Sequence, residues 1–370
     1  MRTLRRLGFM VVALGVVLVT TASAATVVNF AAYVPTKHIV MQDVLIPFFN
    51  DVEKETNGSI TFKLHAGGSL ASGKGSLAAV RDGLAEGALL VDLYTPKELA
   101  AIGMISGLAM LGKDPRVMSA ASNEMILLSC PECLKSYQRH SVTPLAFYST
   151  SAYKLMCREP VKSIEDIKGL KIRAVGPYGI WSKELGAVPV RINSAEGYEA
   201  LERGQLDCLV GSLAWLKSYS YWDVVKHVVD FPLGTYHGAL FFDLRTDVWE
   251  GLSKEEKKVI IDRIPAMIAR AANLYLELDE SIKKTGTAEH GLQFADPDPK
   301  LVEMMKTHQQ KEIKRVAAQG DKRKVKNAEE IVNTYLEKVK KWEKIVAETG
   351  GDEAKFTEAL RQEIFSKIQY

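Results

Sequence analysis

Hydrophobic and polar residues along the chain predict an alternation of short strands and helices. The strands are predicted at residues 27–32, 60–65, 88–94, 143–148, 170–174, 189–192, 206–210 and 238–244. Helical patterns fill most of the intervals between them, beginning with residues 39–54. Strands that alternate with helices are typical of parallel sheets, so the pattern predicts an α/β protein.

Helical patterns dominate the remaining segments. Residues 97–139 and 215–227 are predicted to be helical. Ser253-Lys-Glu-Glu256 has the spacing of a capping box and predicts a long helix that runs to about residue 284, with a bend at Pro265. A later apolar stripe repeats every three or four residues, which predicts a helix that packs against the rest of the protein. Its members are Ile331, Tyr335, Val339, Trp342 and Val346.

The first 24 residues are predicted to be a secretory signal peptide. Arginines at positions 2, 5 and 6 form a charged start, apolar residues fill positions 7–20, and Ala22-Ser-Ala24 supplies a small-residue cleavage site. A membrane anchor is the alternative, but the apolar run is short beside the ~20 residues that a spanning helix needs. We therefore expect export to the periplasm.

The charge balance of the chain argues against nucleic acids and anionic membranes as partners. The three arginines of the predicted signal peptide account for the +3 formal charge of the whole chain, so residues 25–370 carry no net formal charge. A neutral protein has no overall field to attract nucleic acid or an anionic membrane, and no nucleic-acid partner is expected. A chain of 370 residues is long enough for two domains.

Four cysteines, Cys130, Cys133, Cys157 and Cys208, indicate disulfide bonds in an exported protein. Three pairings are open, and we favour 130–133, closing a local loop, and 157–208, joining two segments of one domain. Cys130-Pro-Glu-Cys133 also has the spacing of a redox dithiol, which would make the protein an exported thiol oxidoreductase. A zinc site would need a second close pair of cysteines, and no metal is expected.

A glycine-rich loop and two carboxylates are the features most easily mistaken for catalytic chemistry. Gly68-Ser-Leu-Ala-Ser-Gly-Lys-Gly75 resembles a phosphate-binding loop, but Gly75 stands where the magnesium-binding hydroxyl is required. We expect these glycines to let the backbone approach another domain or a ligand. Glu196 and Asp207 are expected to cap a helix and to bind backbone donors rather than act as an acid–base pair. Because no nucleophile motif accompanies them, neither enzyme activity nor a cofactor is expected.

Arg173 is the strongest candidate for ligand binding. It lies near the end of the strand predicted at 170–174, after a Lys-Gly turn. A guanidinium at a strand end can hold a carboxylate with two parallel charge-assisted hydrogen bonds. Ligands of open α/β sheets bind at the carboxyl ends of strands, which adds Tyr153 and Trp215 near strand-to-helix junctions and His38 after the first strand. Tyr219 and Trp222 are expected in the core.

Several fragments, in this order, resemble the periplasmic solute-binding proteins of TRAP transporters, the DctP-type family. The resemblance is strongest in Asp166-Ile-Lys-Gly-Leu-Lys-Ile-Arg173, Leu185-Gly-Ala-Val-Pro-Val190 and Glu196-Gly-Tyr-Glu-Ala-Leu-Glu-Arg-Gly-Gln-Leu-Asp207. It extends to Asn57-Gly-Ser-Ile-Thr-Phe62, Gly68-Ser-Leu70 and Trp249-Glu-Gly-Leu-Ser253. The resemblance spans essentially all of the chain after the predicted signal peptide.

The resemblance implies a periplasmic binding protein-like fold: two α/β domains with a ligand cleft between them and a long helix that crosses both. We expect the first domain at 25–150 plus about 238–282, and the second at 151–237 plus about 283–370. The resemblance also implies that Arg173 pairs with the ligand carboxylate. The domains would close around the ligand and deliver it to the membrane subunits of a TRAP transporter. A monomer is expected.

Two departures from the family pattern bear on the ligand. Sialic acid-binding members carry a second ligand-contacting arginine upstream of the first, where this chain has Tyr153. Many members have a polar amide where this chain has Gly211, Ser212 and Trp215, which would form a tighter and more apolar wall. A small monocarboxylate is therefore the expected ligand.

The remaining expected ligand contacts are Trp181, Tyr33, Tyr236 and Asp92. Trp181 would form an apolar wall, and Tyr153 and Ser212 would donate hydrogen bonds. Asp92, near the end of a first-domain strand, would meet an amine if the ligand were an amino alcohol or an amino acid, although a buried or capping role is commoner for such a carboxylate. An interaction or scaffold protein is the remaining alternative.

Overall fold

A computed structural model describes residues 25–369, and the signal peptide predicted at residues 1–24 lies outside the described residues. Strands and helices alternate as expected through the first part of the chain. Its elements are β1 (Thr26–Ala31), α1 (Ile46–Glu55), β2 (Ile60–His65), α2 (Ser76–Arg81), β3 (Gly87–Ala88), β4 (Leu90–Val91), α3 (Gly103–Ser106), α4 (Pro115–Glu124), α5 (Pro131–Gln138) and β5 (Val142–Tyr148).

The second unit continues the alternation and builds its own sheet. Its elements are β6 (Lys154–Cys157), α6 (Ile164–Ile167), β7 (Lys171–Arg173), α7 (Pro177–Glu184), β8 (Val188–Val190), α8 (Gly197–Glu202), β9 (Cys208–Gly211), α9 (Ala214–Ser218) and β10 (His227–Val229). The chain then runs through β11 (Ala239–Arg245), α10 (Thr246–Gly251), α11 (Lys254–His290), β12 (Gln293–Ala295), α12 (Pro299–Lys322), α13 (Ala328–Thr349) and α14 (Glu353–Glu363).

The first domain holds two three-stranded sheets and the second a six-stranded sheet, which confirms the two-domain α/β fold. In the first domain, β1 pairs in parallel with β2 and β3, while β11 returns from the second domain to pair antiparallel with β4 and β5. The second domain holds a six-stranded sheet in the order β12-β10-β6-β9-β7-β8. In this sheet β7 lies between β8 and β9 and is parallel to both.

The long helix α11 connects the two domains. Ser253 Oγ accepts from the Glu256 amide at 3.2 Å and Glu256 Oε2 accepts from the Ser253 amide at 2.8 Å, so the predicted capping box is present. The helix continues through Pro265 to His290 and ends at Gly291, whose φ of 66° favours glycine. It packs against α1, α4 and β5 of the first domain and against α9 and β12 of the second.

The C-terminal helices pack on the first domain. α13 contacts α3 and α4, and α14 contacts α11. Trp342 Nε1 on α13 donates to Glu124 on α4 at 2.7 Å, and the Tyr335 and Ser122 hydroxyls are 3.2 Å apart. The expected division places all residues after about 283 in the second domain. We propose instead that β12 belongs there, because it pairs with β10, while α13 and α14 belong to the first domain, because α13 packs on α3 and α4 and α14 packs on α13 and α11.

Two local predictions differ from the structure. The segment predicted as a helix at 215–227 breaks after Ser218, forms a short 3-10 turn at Tyr221–Asp223 and enters β10. β10 is extended because it pairs with β6 and β12, so tertiary pairing overrides the local helical pattern. The strand predicted at 88–94 is split, and its last three residues, Asp92–Tyr94, form a 3-10 turn at the cleft. None of the described helices has the length and apolarity of a membrane span.

Candidate functional site

Arg173 is the last residue of β7, and its guanidinium is buried, with 1% of the residue exposed. Its Nε donates to the Ile192 carbonyl at 3.1 Å, Nη1 to the Val210 carbonyl at 3.4 Å, and Nη2 to the Tyr94 hydroxyl at 3.1 Å. The guanidinium carbon also lies 5.3 Å from the centre of the Trp215 ring. All of these partners are uncharged, so the guanidinium keeps an uncompensated positive charge inside the protein.

Tyr94 connects the two domains at this point. Its hydroxyl belongs to the first domain and accepts hydrogen bonds from two donors of the second, Arg173 Nη2 at 3.1 Å and the Ser194 amide at 3.0 Å. A guanidinium N–H and a backbone N–H that converge on one point form a strong pair of donors, and a carboxylate oxygen is a better acceptor for them than a neutral hydroxyl.

Six tyrosines surround a small cavity beside the guanidinium, which we call the Arg173 cavity. They are Tyr33, Tyr94, Tyr148, Tyr153, Tyr219 and Tyr236. Burial raises the pKa of Tyr153 and Tyr219 well above the ordinary value, so both remain neutral hydroxyls. The cavity volume is about 20 Å³, far smaller than an organic acid, so ligand entry requires the domains or Tyr94 to move.

His38 also lines the Arg173 cavity, as expected for a residue after the first strand. Burial lowers the pKa of His38 to about 3, which keeps the imidazole neutral. Its Nδ1 accepts from the Val40 amide at 3.3 Å, so the proton lies on Nε2 and is available as a donor. The ring lies 5.3 Å from that of Tyr219.

Asp92 lies at the edge of the site with its oxygens already occupied. Tyr236 donates to Asp92 Oδ1 at 2.8 Å and Ser106 donates to Oδ2. Burial raises the pKa of Asp92 to about 6. Asp92 does not line the Arg173 cavity itself but supports Tyr236, which does, and its hydrogen bonds match the buried role that is common for such a residue.

The structure brings together some predicted site residues and separates others. Tyr33, His38, Tyr153, Trp215 and Tyr236 line the same cavity as Arg173. Trp181 on α7 is buried among other side chains, and Ser212 bonds to Ser151 at 2.9 Å and to the Ala214 amide at 3.2 Å, so neither lines the cavity. Tyr219 is buried, as expected, and also lines the cavity.

Glu196, Asp207 and the four cysteines have the structural roles that the sequence predicts. Glu196 forms a capping box with Asn193, and Asp207 Oδ2 accepts from the Lys171 amide at 2.7 Å. The disulfides pair Cys130 with Cys133 and Cys157 with Cys208, as favoured. Cys130 and Cys133 are 2% and 0% exposed, whereas thiol exchange requires an accessible sulfur.

The glycine-rich loop reaches the site, as its composition suggested. A Cβ at Gly73 would lie 3.1 Å from the Tyr94 ring and 3.3 Å from the Tyr33 ring. Glycine at this position therefore lets the loop support the two aromatic rings that face the Arg173 cavity.

Sequence reasoning missed Tyr94 and Ser194, which form the other half of the Arg173 site. Tyr94 ends the strand predicted at 88–94, a position that could have marked it as a site residue. Its partners are 79 and 100 residues away in the chain, so no local pattern indicates the contact.

A family profile described as bacterial extracellular solute-binding protein, family 7, matches residues 30–320. The chain belongs to this family. The resemblance to the DctP-type proteins is thereby confirmed, and the extracytoplasmic location follows from the family. Family 7 proteins bind solutes for transport.

Curated relatives match parts of this chain. The ectoine-binding periplasmic protein TeaA of Halomonas elongata is 27% identical over 134 residues, which are 36% of this chain and 39% of that protein. A solute-binding protein of Albidiferax ferrireducens is 24% identical over 192 residues, or 51% of this chain and 55% of that protein. The chain thus spans about two fifths to just over half of the length of these relatives.

Solved structures share the fold over nearly their whole length. A TRAP solute-binding protein from Rhodoferax ferrireducens, in complex with copurified benzoate, has a TM-score of 0.78 at 16% identity and covers 87% of this chain and 100% of its own. A TRAP periplasmic protein from Bordetella bronchiseptica, with bound (R)- and (S)-mandelate, has a TM-score of 0.73 at 21% identity and covers 85% and 99%. These similarities confirm the fold.

Proposed function

We propose that this protein captures a small organic acid between its two domains and delivers it to the membrane subunits of a TRAP transporter. The ligand carboxylate binds Arg173 Nη2 and the Ser194 amide, the two donors that Tyr94 holds in this structure. Aromatic walls from both domains enclose the rest of the ligand.

The observation that carries this proposal is the uncompensated charge of Arg173. Among the ion pairs of the described residues, none includes Arg173, and its hydrogen bonds reach two carbonyls and one hydroxyl. A buried cation without a counterion is costly, and an arginine cannot relieve that cost by losing its proton. A carboxylate would supply both the opposite charge and the matching planar geometry.

The shape of the Arg173 cavity supports a compact ligand. Its hydroxyls are neutral and its other walls are aromatic, so a carboxylate with a compact apolar body fits this cavity better than a polyol. Proteins of the same fold carry benzoate and mandelate, each an acid of this kind. The amine alternative has less support, because Asp92 already accepts from Ser106 and Tyr236.

A ligand panel with matched neutral analogues tests the proposal. We expect benzoate, mandelate or pyroglutamate to raise the melting temperature of the purified protein, because a ligand that binds only the folded state stabilises it. Benzamide and benzyl alcohol, which keep the ring and lack the charge, should have no effect at the same concentration. Calorimetric titration then gives the affinity.

The outcome that contradicts the proposal is equally specific. Stabilisation by amines or neutral compounds, with none by any acid of the panel, would exclude Arg173 as a carboxylate site. Ectoine belongs in the panel because a curated relative is an ectoine-binding protein.

A further inference from the structure

A second and larger pocket lies between the domains, on the other side of Tyr94. Its volume is about 290 Å³, and it shares Leu93, Tyr94 and Val175 with the wall of the Arg173 cavity. Four cationic side chains line it: Lys74, Arg191, Arg315 and Arg323. We call this the basic pocket.

The four cations reach the basic pocket from separate parts of the fold. Lys74 comes from the glycine-rich loop of the first domain, and Arg191 follows β8 in the second. Arg315 lies on α12 and Arg323 directly follows it. Lys74 Nζ donates to the Arg191 carbonyl at 3.5 Å, so the loop and the second domain meet here.

These cations have few acidic partners. Among the ion pairs of the described residues, none includes Lys74, Arg191 or Arg323. Arg315 Nη2 contacts Glu312 at 3.0 Å, and burial raises the pKa of Glu312 to about 8, which weakens it as a counterion. The remaining acid in the wall is Asp92, whose oxygens are bonded to Ser106 and Tyr236.

The excess of positive charge is a local feature, since residues 25–370 carry no net formal charge. Like charges that converge from two domains repel one another and oppose closure of the cleft. An anion with several oxygens reverses that effect, because each guanidinium and ammonium group can donate to it.

We propose that the basic pocket binds an oxyanion group, a carboxylate or a phosphate, at a site separate from Arg173. The oxyanion has two sources: a free anion, or a second anionic group on the ligand whose first carboxylate binds Arg173. The first source is independent of the proposed function, while the second rests on it. Either way, the bound anion joins Lys74 and Arg191 across the domains.

The first experiment tests the free anion. Melting temperatures are measured in phosphate and in sodium chloride at equal ionic strength, for the wild type, Arg173→Met and the double variant Arg191→Gln with Arg323→Gln. If the source is a free anion, phosphate raises the melting temperature of the wild type and of Arg173→Met by about 2–4 °C over chloride. The double variant loses this rise.

The pair of substitutions Arg203→Gln and Arg361→Gln is the matched control, because it also removes two positive charges. Arg203 pairs with Glu199, Arg361 on α14 pairs with Glu358, and neither lines the basic pocket, so their removal changes the net charge without changing the site. This control should retain the full response to phosphate.

The second experiment tests a second group on the ligand. Affinities are compared for dicarboxylates from succinate to suberate and for monocarboxylates of the same lengths. If the source is the ligand, one or two dicarboxylate lengths bind best, and the double variant weakens their binding at least about tenfold. Binding of the matched monocarboxylates should be unchanged in the double variant.

Two results would overturn the proposal. In the first, phosphate and the dicarboxylates affect the double variant as much as the wild type. In the second, neither phosphate nor any dicarboxylate affects the wild type. Failure of the Arg173 proposal gives a different result, because monocarboxylates would then bind Arg173→Met as well as the wild type. The two hypotheses therefore fail in separate measurements.

Discussion

Arg173 and Glu124 are both buried charges, but only Glu124 has oppositely charged partners. Glu124 on α4 accepts from Lys338 at 2.8 Å, from Lys341 at 2.9 Å and from Trp342 Nε1 at 2.7 Å. Arg173 donates to carbonyls and a hydroxyl and meets no carboxylate. The first charge is paired within the chain, whereas the second has no counterion among the described residues.

The difference is what we expect between a charge that stabilises the fold and one that binds a ligand. Glu124 fixes α13 to α4, and the lysines that neutralise it come from the helix it holds. Arg173 is oriented just as firmly, but by neutral groups that leave its charge uncompensated. A buried ionic group whose orientation is fixed and whose counterion is missing marks a ligand site more clearly than burial alone.

Replacing Arg173 should produce the largest effect. We expect Arg173→Met to weaken carboxylate binding by about 2–5 kcal/mol, because the ligand charge would then be buried without a partner. Stability should stay the same or rise, since the variant removes an unpaired buried charge. Calorimetric titration with benzoate, together with urea denaturation, measures both.

Arg203→Met is the control for this variant. Arg203 is exposed on the second domain and pairs with Glu199 at 3.4 Å. Equal affinities of Arg173→Met and Arg203→Met for the acid would show that Arg173 does not bind the carboxylate.

Replacing Glu124 should have the opposite effect to replacing Arg173, lowering stability without weakening acid binding. Glu124→Ala should lower the free energy of unfolding by about 3 kcal/mol and leave acid binding unchanged, since it leaves the buried Trp342 Nε1 without an acceptor and removes the carboxylate that pairs with Lys338. Urea denaturation and a benzoate titration provide the comparison. Loss of binding at full stability would show that Glu124 serves the ligand site.

The contribution of Glu124 should also depend on pH in a defined direction. Burial acts to raise the pKa of Glu124, but Lys338, Lys341 and Trp342 outweigh it and hold the pKa below its ordinary value. Stability from this group is therefore present above the unfolded pKa and lost as the pH falls through the folded pKa. The difference between wild type and Glu124→Ala should shrink below about pH 4.

Asp279 on α11 can avoid the cost of a buried charge by binding a proton, whereas the arginine at position 173 cannot lose its charge. Burial raises the pKa of Asp279 to about 7, and Ser151 donates to its Oδ1 at 2.8 Å, with Lys154, Lys283 and Glu280 also nearby. The folded state holds this proton where the unfolded state does not, so stability falls as the pH rises from about 4 to about 7.

Asp279→Asn should remove on the order of 2 kcal/mol of the fall in the free energy of unfolding between about pH 4 and about pH 7. Urea midpoints measured from pH 4 to pH 8 provide the test. Part of the slope should remain, because burial also raises the pKa of Asp92, to about 6. An unchanged slope would mean that Asp279 is ionised in the folded protein.

Tyr94→Phe should have the smallest effect and the opposite sign. A carboxylate must displace the Tyr94 hydroxyl from Arg173 and Ser194, so its removal should tighten acid binding about 2- to 10-fold. Tyr137→Phe is the control, because that hydroxyl is buried and has no hydrogen-bond partner among the described residues. Weaker binding by Tyr94→Phe in a benzoate titration would place the hydroxyl on the ligand instead.

Local patterns predicted the parts of this protein that depend on local physics. The alternation of strands and helices, the capping box at Ser253 and Glu256, and the strand-end position of Arg173 follow from neighbouring residues, and the structure contains all three. The favoured cysteine pairing is also present, since Cys157 and Cys208 face each other on the paired strands β6 and β9.

Contacts between distant segments were beyond such patterns. Tyr94 serves the site through residues of the other domain, and β10 is extended because β6 and β12 flank it. The apolar stripe of α13 predicted that the helix is buried, but not which domain buries it. An amphipathic face specifies that a partner exists, and only the assembled fold specifies the partner.

The contact between Arg173 and Trp215 gives the protein an optical signal of its own. An indole emits at a wavelength that depends on nearby charge, and here a cation lies 5.3 Å from the ring centre. An arriving carboxylate neutralises that charge, so the emission of Trp215 should shift when an acid binds. Trp215→Phe should lose the shift while the other four tryptophans continue to emit. Fluorescence titration of the unlabelled protein would thus follow capture of the ligand in real time.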